Sequence, residues 1–99
     1  MAKENEYQYA LIKKLEAMFP KPSTMILKND ANYIQGIPDI TILHNDRWAV
    51  LECKRDAQAS HRPNQDFYVG KLNGMSYAAC IYPENEEELL REVQQALGA

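Results

Sequence analysis

Gly36-Ile37-Pro38-Asp39-Ile40-Thr41-Ile42-Leu43-His44-Asn45-Asp46-Arg47-Trp48-Ala49-Val50-Leu51-Glu52-Cys53-Lys54 is the stretch that decides the fold. Ile37 to Leu43 and Arg47 to Lys54 are rich in Ile, Val, Leu and Trp, residues that suit a pleated, half-buried surface. His44-Asn45-Asp46 between them is a tight-turn signal. With Asn45-Asp46 as a two-residue loop, His44 pairs with Arg47 and Leu43 with Trp48, each pair of numbers summing to 91. Asp39 then lies opposite Glu52, with Cβ atoms roughly 4.5–5.5 Å apart. Lys54, two residues on, projects from the same face. A slip of one residue in this register would send the two acids to opposite faces.

Outward from the hairpin the remaining elements follow. Tyr7, Leu11, Leu15 and Met18 recur as one apolar stripe and predict a helix over residues 4–18. Phe19-Pro20-Lys21-Pro22-Ser23 stops it. Thr24 to Lys28 is a short β-rich run, and Asn29 to Gln35 reads as a polar loop leading into Asp39. Residues 55–61 form a second polar loop. Arg62 to Asn73 is expected to be helical, with Pro63 in the first turn and Gly74 just past the end. Met75 to Tyr82 reads as a buried strand ended by Pro83. Asn85 and Glu88 have the spacing of a capping box for a last helix, whose apolar face is Leu89, Leu90, Val93 and Leu97. The order is helix, three strands, helix, strand, helix: an α/β (α+β) fold with a mixed central sheet flanked by helices.

Composition limits the rest. The 99 residues predict one domain over 1–99, with 45% hydrophobic and 25% charged residues. No apolar run approaches the ~20 residues of a membrane span, and the amino terminus lacks a signal segment, so no membrane partner is expected. Cys53 and Cys80 have no framework spacing and read as free thiols of a reducing, cytoplasmic compartment, Cys80 in the core. The net charge of −3 argues against coating nucleic acid by bulk electrostatics. The charge is uneven, however. Four glutamates lie between Glu84 and Glu88, while Lys54, Arg55, His61, Arg62 and Lys71 cluster in the middle, where any phosphate contact is expected. For each of these residues, plain solvated surface charge is an equal reading.

Two carboxylates opposite one another repel, and a cation between them removes the cost. An all-oxygen set, Asp39, Glu52 and the Cys53 backbone carbonyl, suits Mg²⁺ or Mn²⁺ rather than zinc. Lys54 can orient or deprotonate a water, or balance phosphate charge. Alone, Glu52-Cys53-Lys54 is a common tripeptide, equally a surface ion pair; its coupling to Pro38-Asp39 through the turn is what distinguishes it. His44 and His61 lack the cysteine spacing of zinc ligands. His44 reads as a turn residue and Trp48 as core.

Pro38-Asp39 with Glu52-Cys53-Lys54 resembles the PD-(D/E)xK nuclease superfamily. Gly36 and Gln65 are similar more narrowly to its VRR-NUC and Holliday-junction-resolvase-like branch, including phage-type stand-alone domains. The αβββαβ order is that superfamily's restriction-endonuclease-like core, with the last helix as an addition. The resemblance implies that Asp39 and Glu52 are metal ligands, that Lys54 is the catalytic lysine, and that Gln65 supports the water or the phosphate. It further implies a ligand glutamate on the first helix. Glu4, Glu6 and Glu16 are available, and helical phase favours Glu4, which shares the stripe that faces the sheet. Arg55, His61, Arg62 and Lys71 are then weak candidates for DNA contact.

The expected function is that of a metal-dependent, structure-selective DNA endonuclease acting at branched DNA such as Holliday junctions. One site per chain and two incisions per junction imply a homodimer. The alternatives are a flap or nicking repair nuclease with a helicase or repair partner, and a non-catalytic nucleic-acid-binding module on a nuclease fold.

Overall fold

A computed structural model describes residues 2–30 and 32–99. Helix α1 (Ala2–Met18) is followed by a 3₁₀ turn (Lys21–Ser23), then strands β1 (Thr24–Lys28), β2 (Ile40–His44) and β3 (Arg47–Cys53). Helix α2 (Pro63–Met75), strand β4 (Tyr77–Ile81) and helix α3 (Glu86–Leu97) complete the chain. The protein is thus an α+β fold with a four-stranded mixed sheet and three helices among the described residues. The sheet order is β1-β2-β3-β4, with β1, β2 and β3 antiparallel in turn and β4 parallel to β3.

The hairpin register is the one the turn dictates: His44 pairs with Arg47, Leu43 with Trp48 and Ile40 with Leu51. Asn45 supports the turn at φ 54°, a left-handed conformation that asparagine tolerates better than most residues.

Alternation along the strands separates two faces. Ile40 and Ile42 of β2, with Ala49, Leu51 and Cys53 of β3, point to one side and are buried. There they join Leu11 and Leu15 from α1, Phe19 just past its end, and Leu90, Val93 and Leu97 from α3 in one apolar cluster. Fully burying such a side chain contributes about 1.5–3 kcal/mol, so this layer is the main source of stability. The opposite face carries Trp48, Val50 and Glu52, and α2 packs there against β3 and β4.

Several local expectations are corrected. Strand β2 begins at Ile40, because Ile37 closes a turn on Ile34 through a 3.2 Å backbone hydrogen bond. Helix α2 runs through Gly74 to Met75, and the Ser76 N–H caps it on Leu72. Asn85 occupies the N-cap position of α3 without capping it: its Oδ1 accepts from the Tyr82 N–H and its Nδ2 donates to the Cys80 carbonyl. His44 is a buried strand residue, held by Thr24 Oγ1 at 2.6 Å and packed on Phe19 at 5.7 Å between ring centroids. Trp48 lies outside the main core, half-buried on the α2 face, and Cys80 is half-buried rather than core.

Candidate functional site

The chemistry gathers where β2 begins and β3 ends. Asp39 immediately precedes β2, and three hydrogen bonds from Asn29 fix its approach. The Asn29 N–H donates to the Asp39 carbonyl at 2.8 Å, and its Nδ2 donates to the Pro38 carbonyl at 2.9 Å and to Thr41 Oγ1 at 2.8 Å. The Asp39 side chain then turns toward β3, where Oδ2 accepts the Cys53 backbone N–H at 2.8 Å. Sequence reasoning missed Asn29 as a positioning residue; its place at the mouth of the loop into Asp39 was the available signal.

Glu52 on β3 and Lys54, one residue past its end, share the α2 face and are both buried. Gln65 reaches them from the first turn of α2. Its Nε2 donates to Glu52 Oε2 at 2.8 Å, while its Oε1 accepts from Lys54 Nζ at 2.7 Å and from the Arg62 backbone N–H at 3.1 Å. The Arg62 bond also caps α2, so one side chain fixes the helix start and bridges the acid to the amine. Lys54 Nζ stands 3.6 Å from Glu52 Oε2. Gly36 lets this come together. At φ +92°, it lies where an added Cβ would sit 2.5 Å from Asn64 Cβ, so the loop into Asp39 packs directly on the start of α2.

The electrostatics are those of crowded acids. Burial pushes the Glu52 carboxyl up to about 8; the nearby Asp39 charge adds to this and Lys54 opposes it. Burial also raises Asp39, against the Cys53 N–H bond, with Glu4 raising it further and Lys54 and Lys28 opposing. Among the described residues, the buried Glu52 Oε1 has no hydrogen-bond partner. An orphaned carboxylate oxygen beside a second acid fits a hard, oxygen-ligated cation, with Asp39, Glu52 and the Cys53 carbonyl as the protein oxygens.

Glu4 is half-buried and lines a cleft of about 430 Å³ with Lys54, Arg55, Arg62 and Gln65. Among the described residues, no three His, Cys, Asp or Glu side chains form a metal-sized cluster, so Glu4 is not drawn in beside Asp39 and Glu52. Glu6 is exposed, and Glu16 lies beside Phe19 and Thr24, away from the cleft. Arg55 and Arg62 form the basic rim. His61 pairs with Asp66 at 3.0 Å, and Lys71 is exposed on α2 outside the cleft lining. Among the described residues, no helix is long and apolar enough to cross a membrane.

No protein-family model, no curated protein and no solved structure matches this chain.

Proposed function

We propose that the protein is a metal-dependent, structure-selective DNA endonuclease with the restriction-endonuclease-like core of the PD-(D/E)xK superfamily. Its substrate would be branched DNA such as a Holliday junction, cut by a homodimer. The observation that carries this reading is the bridge Glu52–Gln65–Lys54 beside Asp39: a buried acid with an oxygen unpartnered among the described residues, a half-buried acid beside it, and an amine held in register with them.

When bound, Mg²⁺ or Mn²⁺ supplies Lewis acidity for water activation and offsets phosphate charge. Asp39, Glu52 and the Cys53 carbonyl are the residues that would hold it. Gln65 orients Lys54 so that one N–H is satisfied and the other protons are free for a phosphate oxygen or the attacking water. Arg55 and Arg62 at the rim favour the phosphate backbone. They line the same cleft as Glu4 and Lys54, which supports a strand running along that cleft.

The test is incubation with junction, flap, nicked and linear DNA in Mg²⁺ and in Mn²⁺, with Lys54→Ala as control. Cutting of branched DNA by the parent, and binding without cutting by the variant, supports the proposal. Preferential cutting of flaps or nicks redirects it to a repair nuclease with a helicase partner. No cutting in either metal, with no Asp39-dependent metal binding, leaves a nucleic-acid-binding module.

A further inference from the structure

Strand β1 is the outer strand on its side of the sheet, and its hydrogen-bond phase is fixed by its neighbours. The Asn29 N–H donates to the Asp39 carbonyl and the Asn45 N–H to the Ser23 carbonyl, so the odd residues of this segment exchange bonds with β2. In an antiparallel ladder the alternate residues point their N–H and C=O groups the other way. Thr24, Ile26 and Lys28 therefore direct theirs to the free edge; the Thr24 N–H there donates to the Lys21 carbonyl of the 3₁₀ turn, while the N–H and C=O groups of Ile26 and Lys28 and the Thr24 C=O have no partner among the described residues.

The side chains beside that edge are apolar and exposed. Met25 is 58% and Leu27 38% exposed. Both lie on the α2 face, continuing two cross-strand rows: Met25–Leu43–Trp48 and Leu27–Thr41–Val50. α2 covers only the β3–β4 side of this face, leaving Leu43 at 39% exposure. A free edge flanked by exposed apolar residues is a template for strand addition.

We propose that the occupant is a second copy of this chain, paired β1 to β1 antiparallel about a two-fold axis through Ile26. The edge is self-complementary in that register. Ile26 meets the partner's Ile26 with both its N–H and C=O, and the Lys28 N–H meets the partner's Thr24 C=O, while the Thr24 N–H stays on the Lys21 carbonyl. Met25 falls opposite the partner's Leu27, twice, in the close non-hydrogen-bonded pairing. Within the ladder no like charges sit directly opposite, and the crevice beside Thr24 meets the incoming lysine with both Glu16 and Lys21 in its lining. Shifting the register by two residues keeps the hydrogen-bond phase but strands one end of the strand. Shifting it by one sets bonded residues against outward ones.

Two five-residue edges cover less than the roughly 800 Å² per partner of a standard interface, so the dimer is concentration-dependent. In-plane pairing keeps both α2 faces on the same side. The two Asp39–Glu52 pairs then lie about four strand spacings apart sideways and about six residues apart along the strands, roughly 28 Å in all. This consequence rests on the endonuclease reading; the interface itself does not.

The experiment is sedimentation of the full chain, without DNA or metal, from about 1 µM to 1 mM, a range that brackets weak to moderate affinities. A monomer–dimer equilibrium is expected. Met25→Glu/Leu27→Glu sets like charges opposite and weakens dimerisation at least tenfold, whereas Met25→Glu/Leu27→Lys sets opposite charges together and restores it. Lys28→Pro removes one outward N–H and no β1–β2 bond, and it also weakens the dimer. Circular dichroism verifies folding of each variant. A monomer at every concentration, or a dimer indifferent to all three variants, overturns the proposal. Loss of nuclease activity alone bears only on the function.

Discussion

The Asp39 carboxylate accepts the Cys53 backbone N–H across the open end of the β2–β3 hairpin, at 2.8 Å. This bond separates two roles of Asp39, as acceptor and as charge. Asp39→Asn keeps an acceptor oxygen and removes the repulsion on Glu52. Asp39→Ala removes both and strands a buried N–H, at a cost of about 1–3 kcal/mol. Without metal, the asparagine variant is expected to melt at or above the parent temperature, and the alanine variant below it. Added Mg²⁺ raises the parent's melting temperature and not that of either variant. Calorimetry of the three proteins checks this; an asparagine variant well below the parent counts against a paired-acid site.

Gln65 satisfies Glu52 and Lys54 at once. Gln65→Leu keeps much of the volume and removes both bonds, leaving two buried polar groups to pair only with each other. Loss of such a supporting residue costs roughly 10–100-fold in metal affinity or activity. Cleavage of the junction substrate is expected to fall by that factor, while DNA affinity, read by fluorescence anisotropy, stays within about threefold, the context-dependent scatter of a rim contact. An equal fall in both would make Gln65 a DNA contact instead.

What sequence made legible here is what local rules determine. The two-residue turn at Asn45-Asp46 fixes a register, and register alone brings Asp39 toward Glu52. The i, i+3, i+4, i+7 spacing likewise sets Gln65 with Tyr68, Val69 and Leu72 on the half-buried side of α2. The misread residues are those whose partners lie far along the chain. His44 borders a turn, yet it is buried by Thr24 and Phe19. Asn85 has a capping sequence, but its side chain is taken up by Cys80 and Tyr82. Trp48 has core character, but strand parity turns it to the face that α2 covers only in part. Gly74 resembles a helix stop, but Asn73 Oδ1 and Ser76 make the transition into β4 two residues later.

Gly36 is a conformational requirement as well as a contact. Its φ of +92° is costly for any residue with a Cβ, and Asn64 leaves no space for one. Gly36→Ala is expected to destabilise by about 1–3 kcal/mol, the range for a strained backbone position. Because Asn64 precedes Gln65, the displacement reaches the Gln65 bridge. Cleavage should therefore fall further than the loss of folded protein explains, which activity per folded molecule, from denaturant titration, will show. Gly70→Ala is the control, since a Cβ there meets nothing within 4 Å.

Glu52 gives the apo protein an inverted pH dependence. Its carboxyl is raised from the usual carboxylate range to about 8 in the fold, mainly by burial and then by Asp39. Between the unfolded value and about 8, the folded state holds a proton that the unfolded state has released. Stability is therefore greatest near the lower end of that window and declines as pH rises through it. A melting temperature lower at pH 8 than at pH 5.5 by roughly 5–10 °C is expected without metal. A cation ligated by ionised carboxylates must displace that proton, so stabilisation by Mg²⁺ grows with pH over the same window. Glu52→Gln removes the titrating group, and both trends should flatten. Melting curves of parent and variant at pH 5.5, 7 and 8, with and without Mg²⁺, check each arm. A parent that gains stability toward pH 8 without metal would show that Glu52 is ionised throughout and held by Lys54 and Gln65.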